Sequence, residues 1–158
     1  MILLVHMIFG AAVGYKAYSL TNSIFIAGLF ALLGHYFLDL FPHVEYLKST
    51  EESVKKIKSK SPKEYLPDAL KVFTDLSLGF ILIFILKDQS IIYFYAILGI
   101  IPDGFTVVNS LIYNNTLKKH QYFHGEIIHF LKHKKISLFW RILTQTIATL
   151  ISIYILIY

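Results

Sequence analysis

A histidine and an aspartate lie four residues apart near the end of a long apolar segment, in the sequence Gly34-His35-Tyr36-Phe37-Leu38-Asp39. On an α-helix, residues four apart share one face, with Cβ atoms roughly 6 Å apart, so a single cation can contact both side chains. Ionisable residues inside apolar helices are costly to bury and are therefore candidates for function. We interpret His35 and Asp39 as a pair of metal ligands or a proton relay.

Other histidines and aspartates fall at a similar predicted depth in the chain. His6 lies about one turn into the first apolar segment, Asp103 lies in the half of the fourth segment near the same face, and His124 follows the end of that segment. An ionised carboxylate in a low-dielectric interior carries a desolvation cost of several kcal/mol, and no cation neighbours Asp39 or Asp103 in the sequence. A divalent metal ion would balance these charges. The predicted ligands are His6, His35, Asp39, Asp103 and His124.

The identity of the ion follows from the available ligands. The chain has no cysteine, which excludes disulfides, thiolate ligands and a cysteine nucleophile. Imidazole and carboxylate ligands favour zinc, with manganese or magnesium as alternatives.

Two further residues have alternative interpretations. His43 follows Pro42 at the predicted membrane interface, where it is either a solvated histidine or an additional metal contact. Asp75 is either a catalytic base that orients water, a further ligand, or half of an ion pair with Lys71, four residues earlier.

The four histidines late in the chain cannot all bind one metal ion if their segment is α-helical. They are His120, His124, His129 and His133. At 100° per residue, His124 lies on the apolar face, whereas His129 turns away from it. We therefore expect His124 to be the ligand. A kink at Gly125 would change this geometry, and His129 could then replace His124.

Composition places these residues in a membrane protein. The chain has 158 residues, of which 56% are hydrophobic and 16% aromatic, and its mean hydropathy is +0.60. A soluble domain with a wetted surface is less apolar than this. The formal net charge of +5 comes from lysines beside apolar segments, which favours anionic membrane lipids as partners and excludes nucleic acid.

We predict a single all-α domain, residues 1–158, built as a polytopic membrane bundle of about five helices. Spans are expected at residues 2–20, 23–41, 69–86, 90–113 and 136–158. Short turns make hairpins of the first two spans and of the next two, and Ser23 or Asn22 could cap the second helix. The spacing of Gly10 and Gly14 predicts close helix packing rather than a dimer motif.

The basic residues predict the orientation. Amphipathic basic connections, residues 42–68 and 114–135, would lie on the same side as the N-terminus. That side receives thirteen of the fifteen basic residues, and only Lys16 and Lys87 lie opposite. By the positive-inside rule the N-terminus is cytoplasmic, and the protein is a multi-pass protein of the cell (inner) membrane.

Taken in order, these motifs resemble a family. His6, the His35-x-x-x-Asp39 pair, the Pro102-Asp103 turn and a late His124 are similar to motifs of membrane-bound metal-dependent hydrolases, small bacterial and archaeal proteins distantly similar to zinc-dependent phospholipase C. The resemblance implies a cluster of divalent metals that activates water. In the best-known members, however, the Pro-Asp element precedes the His-x-x-x-Asp pair, and it carries a second aspartate where this chain has Phe105.

The leading hypothesis is therefore a membrane-embedded, metal-dependent hydrolase acting on a phosphoester or phospholipid-like amphiphile. Basic residues near the predicted site are candidates for contacting the substrate phosphate, namely Lys71, Lys118 and Lys119. One alternative is a non-enzymatic membrane protein that binds a metal ion, or translocates ions or protons, through the same residues. Another is a structural or assembly factor whose polar residues bond helices to each other.

Overall fold

The structure of the protein is a computed structural model that describes residues 2–44, 62–112 and 114–158, and the described chain is helical without strands. Its elements, in order, are α1 (Leu3–Thr21), α2 (Ile24–Asp39), α3 (Pro62–Leu86), α4 (Ser90–Leu98), α5 (Ile101–Leu111), α6 (Asn115–Tyr122), a π-helical turn (Phe123–Ile128), a 3₁₀ turn (Phe130–His133) and α7 (Leu138–Ile157). The surface helix predicted between residues 42 and 68 falls largely on residues 45–61, outside the described residues.

Three described helices are long and apolar enough to cross a membrane. They are α1, the Leu66–Leu86 part of α3, and α7, and α4 with α5 makes a fourth if the bent pair counts as one span. Helix α2 is apolar but has 16 residues, so it extends about 24 Å against a hydrocarbon core of about 30 Å. Many large apolar side chains on these helices are exposed, as lipid-facing residues of a membrane protein are.

The first two helices form the hairpin that the sequence predicts. Asn22 ends α1 in the left-handed conformation, with φ at 51°, and its N–H donates to the Tyr18 carbonyl. The hydroxyl of Ser23 then accepts from the Ile26 N–H at the start of α2. Asn22 is thus the C-cap of α1 and Ser23 the N-cap of α2.

Helix α1 lies at the centre of the bundle, where it contacts α2, α3, α4 and α7. Its core side chains include Met7 and Ile8, which pack against Ile83 of α3 and Ile92 of α4. Gly10 allows α4 to approach closely, because a Cβ atom at this position would lie 2.8 Å from the Gly99 Cα. The small residues of α1 therefore serve packing within the chain, as predicted.

The predicted fourth span is broken. Helix α4 ends at Leu98 and α5 begins at Ile101, with a bend of 49° between the two helices. Pro102 explains the break, because proline lacks the N–H that would bond to the previous turn and its ring crowds that turn. The break turns the Gly99 carbonyl and Asp103 toward α2, where they meet the polar residues of the bundle.

The close contact at Gly99 yields a prediction about stability. A Cβ at Gly99 would lie 2.6 Å from the His6 carbonyl oxygen, whereas a Cβ at Gly104 would meet nothing within 4 Å. We expect Gly99→Ala to lower the free energy of unfolding by about 1–3 kcal/mol through overpacking. The matched control Gly104→Ala is expected to leave it unchanged or to raise it by up to about 1 kcal/mol. Unfolding in detergent, followed by circular dichroism, measures both; equal effects would contradict the tight helix contact.

Candidate metal centre

One carboxylate oxygen lies against three imidazole nitrogens inside the bundle. Asp39 Oδ2 is 3.0 Å from His35 Nε2, 2.9 Å from His124 Nε2 and 3.2 Å from His129 Nε2. Asp39 is 1% exposed. The nitrogens also approach one another, since His124 Nε2 is 3.1 Å from His35 Nε2 and 3.3 Å from His129 Nε2. We call these four residues the central cluster.

Three residues border the central cluster. His6 Nε2 lies 3.2 Å from Asp39 Oδ1, and the His6 ring stacks on the His35 ring with centroids 4.1 Å apart. Asp103 Oδ1 lies 3.8 Å from His35 Nε2, and His43 Nε2 lies 3.9 Å from Asp39 Oδ1. Three overlapping groups of ligand atoms result: His6, His35 and Asp103; His35, Asp39 and His124; and Asp39, His43 and His129.

The spacing of the central cluster fits a divalent ion. Ligand atoms about 2.0–2.1 Å from one zinc ion, at the corners of a tetrahedron, lie about 3.3 Å from each other. Five of the six distances among these atoms are 2.9–3.3 Å and match that spacing, whereas His35 and His129 belong to different ligand groups. His6 Nε2 and Asp39 Oδ1 are buried and lie 3.2 Å apart without forming a hydrogen bond, and a bound ion would satisfy both atoms.

His35 is oriented as a metal ligand requires. Its Nδ1–H donates to the Gly99 carbonyl oxygen at 2.8 Å, at the break between α4 and α5. With the proton on Nδ1, the Nε2 lone pair points into the central cluster. Metal-binding histidines generally donate their other ring N–H to a carbonyl or carboxylate in this way, which fixes the tautomer and the ring orientation.

His43 has the same arrangement at the edge of the cluster. Its Nδ1–H donates to the Phe41 carbonyl oxygen at 2.7 Å. Burial lowers the pKa of His43 from 6.5 to about 3, so its imidazole is neutral at pH 7. The structure thus places His43 beside Asp39 and His129, in the group that could hold a metal.

The π-helical turn brings both late histidines into the cluster. In a π-helix, residue i+5 bonds to residue i, and the His129 N–H donates to the His124 carbonyl oxygen at 3.2 Å. The two side chains therefore lie on the same side. The expectation that His129 turns away from His124 was wrong, because it assumed α-helical periodicity through Gly125. Both ring nitrogens lie beside Asp39 Oδ2, so the structure brings His124 and His129 together, and the choice of ligand between them stays open.

Other predicted site residues lie outside the three ligand groups. Asp75 Oδ2 accepts from the Leu4 N–H at 3.2 Å, in the first turn of α1. Lys71 forms an ion pair with Asp68 at 2.9 Å rather than with Asp75. Lys118 and Lys119 are exposed on α6. A catalytic role for Asp75 and phosphate contacts for the lysines stay predictions.

Some residues lie beside the cluster although the local sequence pattern does not predict their position there. The Tyr36 hydroxyl and His120 Nε2 are 2.9 Å apart, beside the central cluster. Burial, and then the neighbouring His124 and His35, lower the pKa of His120. On the other side, the Thr144 hydroxyl donates to the Pro42 carbonyl and ties the segment carrying His43 to α7. These contacts join residues that are far apart in the chain.

The shared position of Asp39 predicts the effect of removing it. We expect Asp39→Ala to weaken zinc binding by more than about 100-fold, the upper range for loss of an outer hydrogen-bond partner, because Asp39 touches every imidazole of the central cluster. Asp75→Asn is the matched control and should bind zinc as the wild type does. Elemental analysis and zinc titration of detergent-purified proteins measure this. Equal zinc contents in wild type and Asp39→Ala would contradict the assignment.

Comparisons with known proteins do not assign a family. No family model matches the chain, no curated protein matches it, and no solved structure matches it. The resemblance of His35-x-x-x-Asp39 and Pro102-Asp103 to motifs of membrane-bound metal-dependent hydrolases stays a prediction. The functional conclusions rest on the chemistry of the cluster itself.

Proposed function

We propose that the protein is a membrane-embedded, metal-dependent hydrolase of phosphoesters. The observation that carries this proposal is the approach of three imidazole nitrogens to within 3.2 Å of a single carboxylate oxygen, Asp39 Oδ2. Histidine and carboxylate together form the ligand set of hydrolytic zinc sites, and His35, Asp39, His124 and His129 would hold the ion. When bound there, a divalent ion lowers the pKa of water to about 7 and polarises a phosphoryl oxygen.

Asp103 is the residue best positioned to handle the proton of the attacking water. Its side chain is 30% exposed, whereas Asp39 is buried. Its Oδ1 stands 3.8 Å from His35 Nε2 and 3.9 Å from His124 Nε2, beyond direct hydrogen-bond distance. Asp103 belongs to the ligand group of His6 and His35 rather than to the central cluster, so an ion held by the central cluster leaves its carboxylate able to accept a proton from water.

The reaction is a displacement at phosphorus. The water oxygen forms a bond to phosphorus while the ester P–O bond breaks. Asp103 accepts the proton that the water gives up, and passes it to the oxygen of the leaving alcohol. His35 keeps its ring fixed through the Gly99 carbonyl, so the ligand arrangement stays the same while the proton moves.

Ion or proton translocation by the same residues has less support. A translocation path needs ionisable groups along the depth of the membrane. Among the described residues, the buried histidines and aspartates all belong to the cluster or to its border, namely His6, His35, Asp39, His43 and His124. The buried cluster of α1, α3, α4 and α7 around Met7 and Ile8 is apolar. Because the buried ionisable residues lie in one region of the bundle and not along its length, they favour catalysis over transport.

The role of Asp103 separates metal binding from turnover. We expect zinc-loaded or manganese-loaded protein to hydrolyse bis(p-nitrophenyl) phosphate, a chromogenic phosphodiester. Asp103→Asn should lower kcat by about 10²- to 10⁴-fold, the usual contribution of a general base, while bound metal is retained. Asp88→Asn, an exposed aspartate that bonds to Tyr93, is the control and should keep wild-type kcat. The proposal would be contradicted if the fully metal-loaded wild type showed no turnover. It would also be contradicted if Asp103→Asn kept the wild-type kcat.

A further inference from the structure

Arg141 lies at the edge of the metal centre. It is the only arginine in the sequence and belongs to the first turn of α7, within a candidate membrane span. Its side chain lines a cavity with Asp39, His43 and His129, and the cavity has room for about one water molecule. Within the described ranges, no carboxylate forms an ion pair with its guanidinium. A half-buried arginine beside a metal centre, without an ion pair in the described part of the chain, is suited to binding an anion.

A larger apolar cleft opens between α1 and α7. Its volume is about 460 Å³, within the range of small-ligand sites. Its apolar lining consists of Ile2, Val5, Val44, Leu138, Ile142 and Leu150. Both helices that border it are long and apolar enough to span a membrane. In a bilayer the cleft therefore meets the alkyl chains of lipids.

The cavity and the cleft share a wall. Pro42 and His43 line the cavity, and the next residue, Val44, lines the cleft. This short segment is fixed to α7 by two hydrogen bonds, from the Thr144 hydroxyl to the Pro42 carbonyl and from the Gln145 amide to the Val44 carbonyl, the latter at 3.1 Å. Arg141 directly precedes Ile142, which lines the cleft, so a ligand with its apolar tail in the cleft could place a polar head against Arg141.

We propose that the cleft and Arg141 beside it form one binding site for a membrane amphiphile with a phosphate head, with the small cavity left to water. The phosphate contacts Arg141 beside the metal centre, and the alkyl chain occupies the cleft between α1 and α7. Charge favours this orientation, because one divalent ion and Arg141 together exceed the two carboxylates, Asp39 and Asp103, by one positive charge. Guanidinium also matches phosphate geometry with two parallel hydrogen bonds. This assignment rests on the proposed function and names its substrate class.

The test measures binding without turnover. Hexadecyl phosphate carries the proposed head and tail, inorganic phosphate carries the head alone, and hexadecanol carries the tail alone. We expect zinc-loaded protein in detergent to bind hexadecyl phosphate at least about tenfold more tightly than either fragment, since each half adds its own contacts. Isothermal titration calorimetry gives the three dissociation constants.

Two variants with matched controls locate the site. Arg141→Gln should weaken hexadecyl phosphate binding by about tenfold or more, whereas Lys135→Gln, which removes the same charge from an exposed position, should not. Ile142→Trp should block the cleft, whereas Ile147→Trp should have no effect. Ile142 and Ile147 lie on the same helix and are 49% and 47% exposed, but only Ile142 lines the cleft.

The outcomes separate this inference from the proposed function. Unchanged binding in both Arg141→Gln and Ile142→Trp would overturn the amphiphile site even if the wild type hydrolyses phosphoesters. If inorganic phosphate binds as tightly as hexadecyl phosphate, the site takes free phosphate and the amphiphile proposal is wrong. If the wild type binds hexadecyl phosphate through Arg141 and Ile142 but hydrolyses no phosphoester, the binding site is supported and the hydrolase proposal is wrong.

Discussion

A single buried carboxylate constrains the arrangement of the whole bundle. Asp39 is 1% exposed, and an uncompensated charge at such a position costs several kcal/mol. The compensating groups come from separate elements: His6 from α1, His35 from α2, and His124 and His129 from the π-helical turn and the residue after it. Helix packing must therefore bring these elements together closely enough for their nitrogens to meet one carboxylate group. The close contact of Gly10 with Gly99 serves this requirement, because Gly99 also supplies the carbonyl that orients His35.

The parts of this arrangement that depend on local pattern could be predicted from the sequence. His35 and Asp39 share a helix face because they are four residues apart, and the structure places their atoms 3.0 Å from each other. The grouping of His6, Asp103 and His124 with this pair followed from the depth of each residue in its apolar segment. Pro102 marked the break in the fourth segment. The all-helical class followed from hydropathy, whereas of the five predicted spans three, or four with α4 and α5 taken together, are long and apolar enough to cross a membrane.

The remaining features depend on tertiary contacts or on departures from regular helices. A π-helical turn gives no clear periodicity in the sequence, so His129 could not be placed beside His124 by α-helical geometry. Asp75 looked like a member of the cluster because of its depth, yet its carboxylate accepts from the Leu4 N–H. Depth alone does not determine the direction in which a side chain points. Arg141 carried a signal, as the only arginine and within an apolar span, but half of the residues that line its cavity, from Asp39 to His43, lie about a hundred positions earlier.

The central claim is that imidazoles and Asp39 bind one divalent ion within the bundle, and X-ray absorption spectroscopy of the zinc-loaded protein tests it most directly. We predict about four nitrogen or oxygen neighbours at about 2.0–2.1 Å from zinc, with the outer-shell scattering of at least two imidazole rings. Asp39→Ala should lose this spectrum. A zinc spectrum with oxygen neighbours alone and no imidazole scattering would contradict the claim.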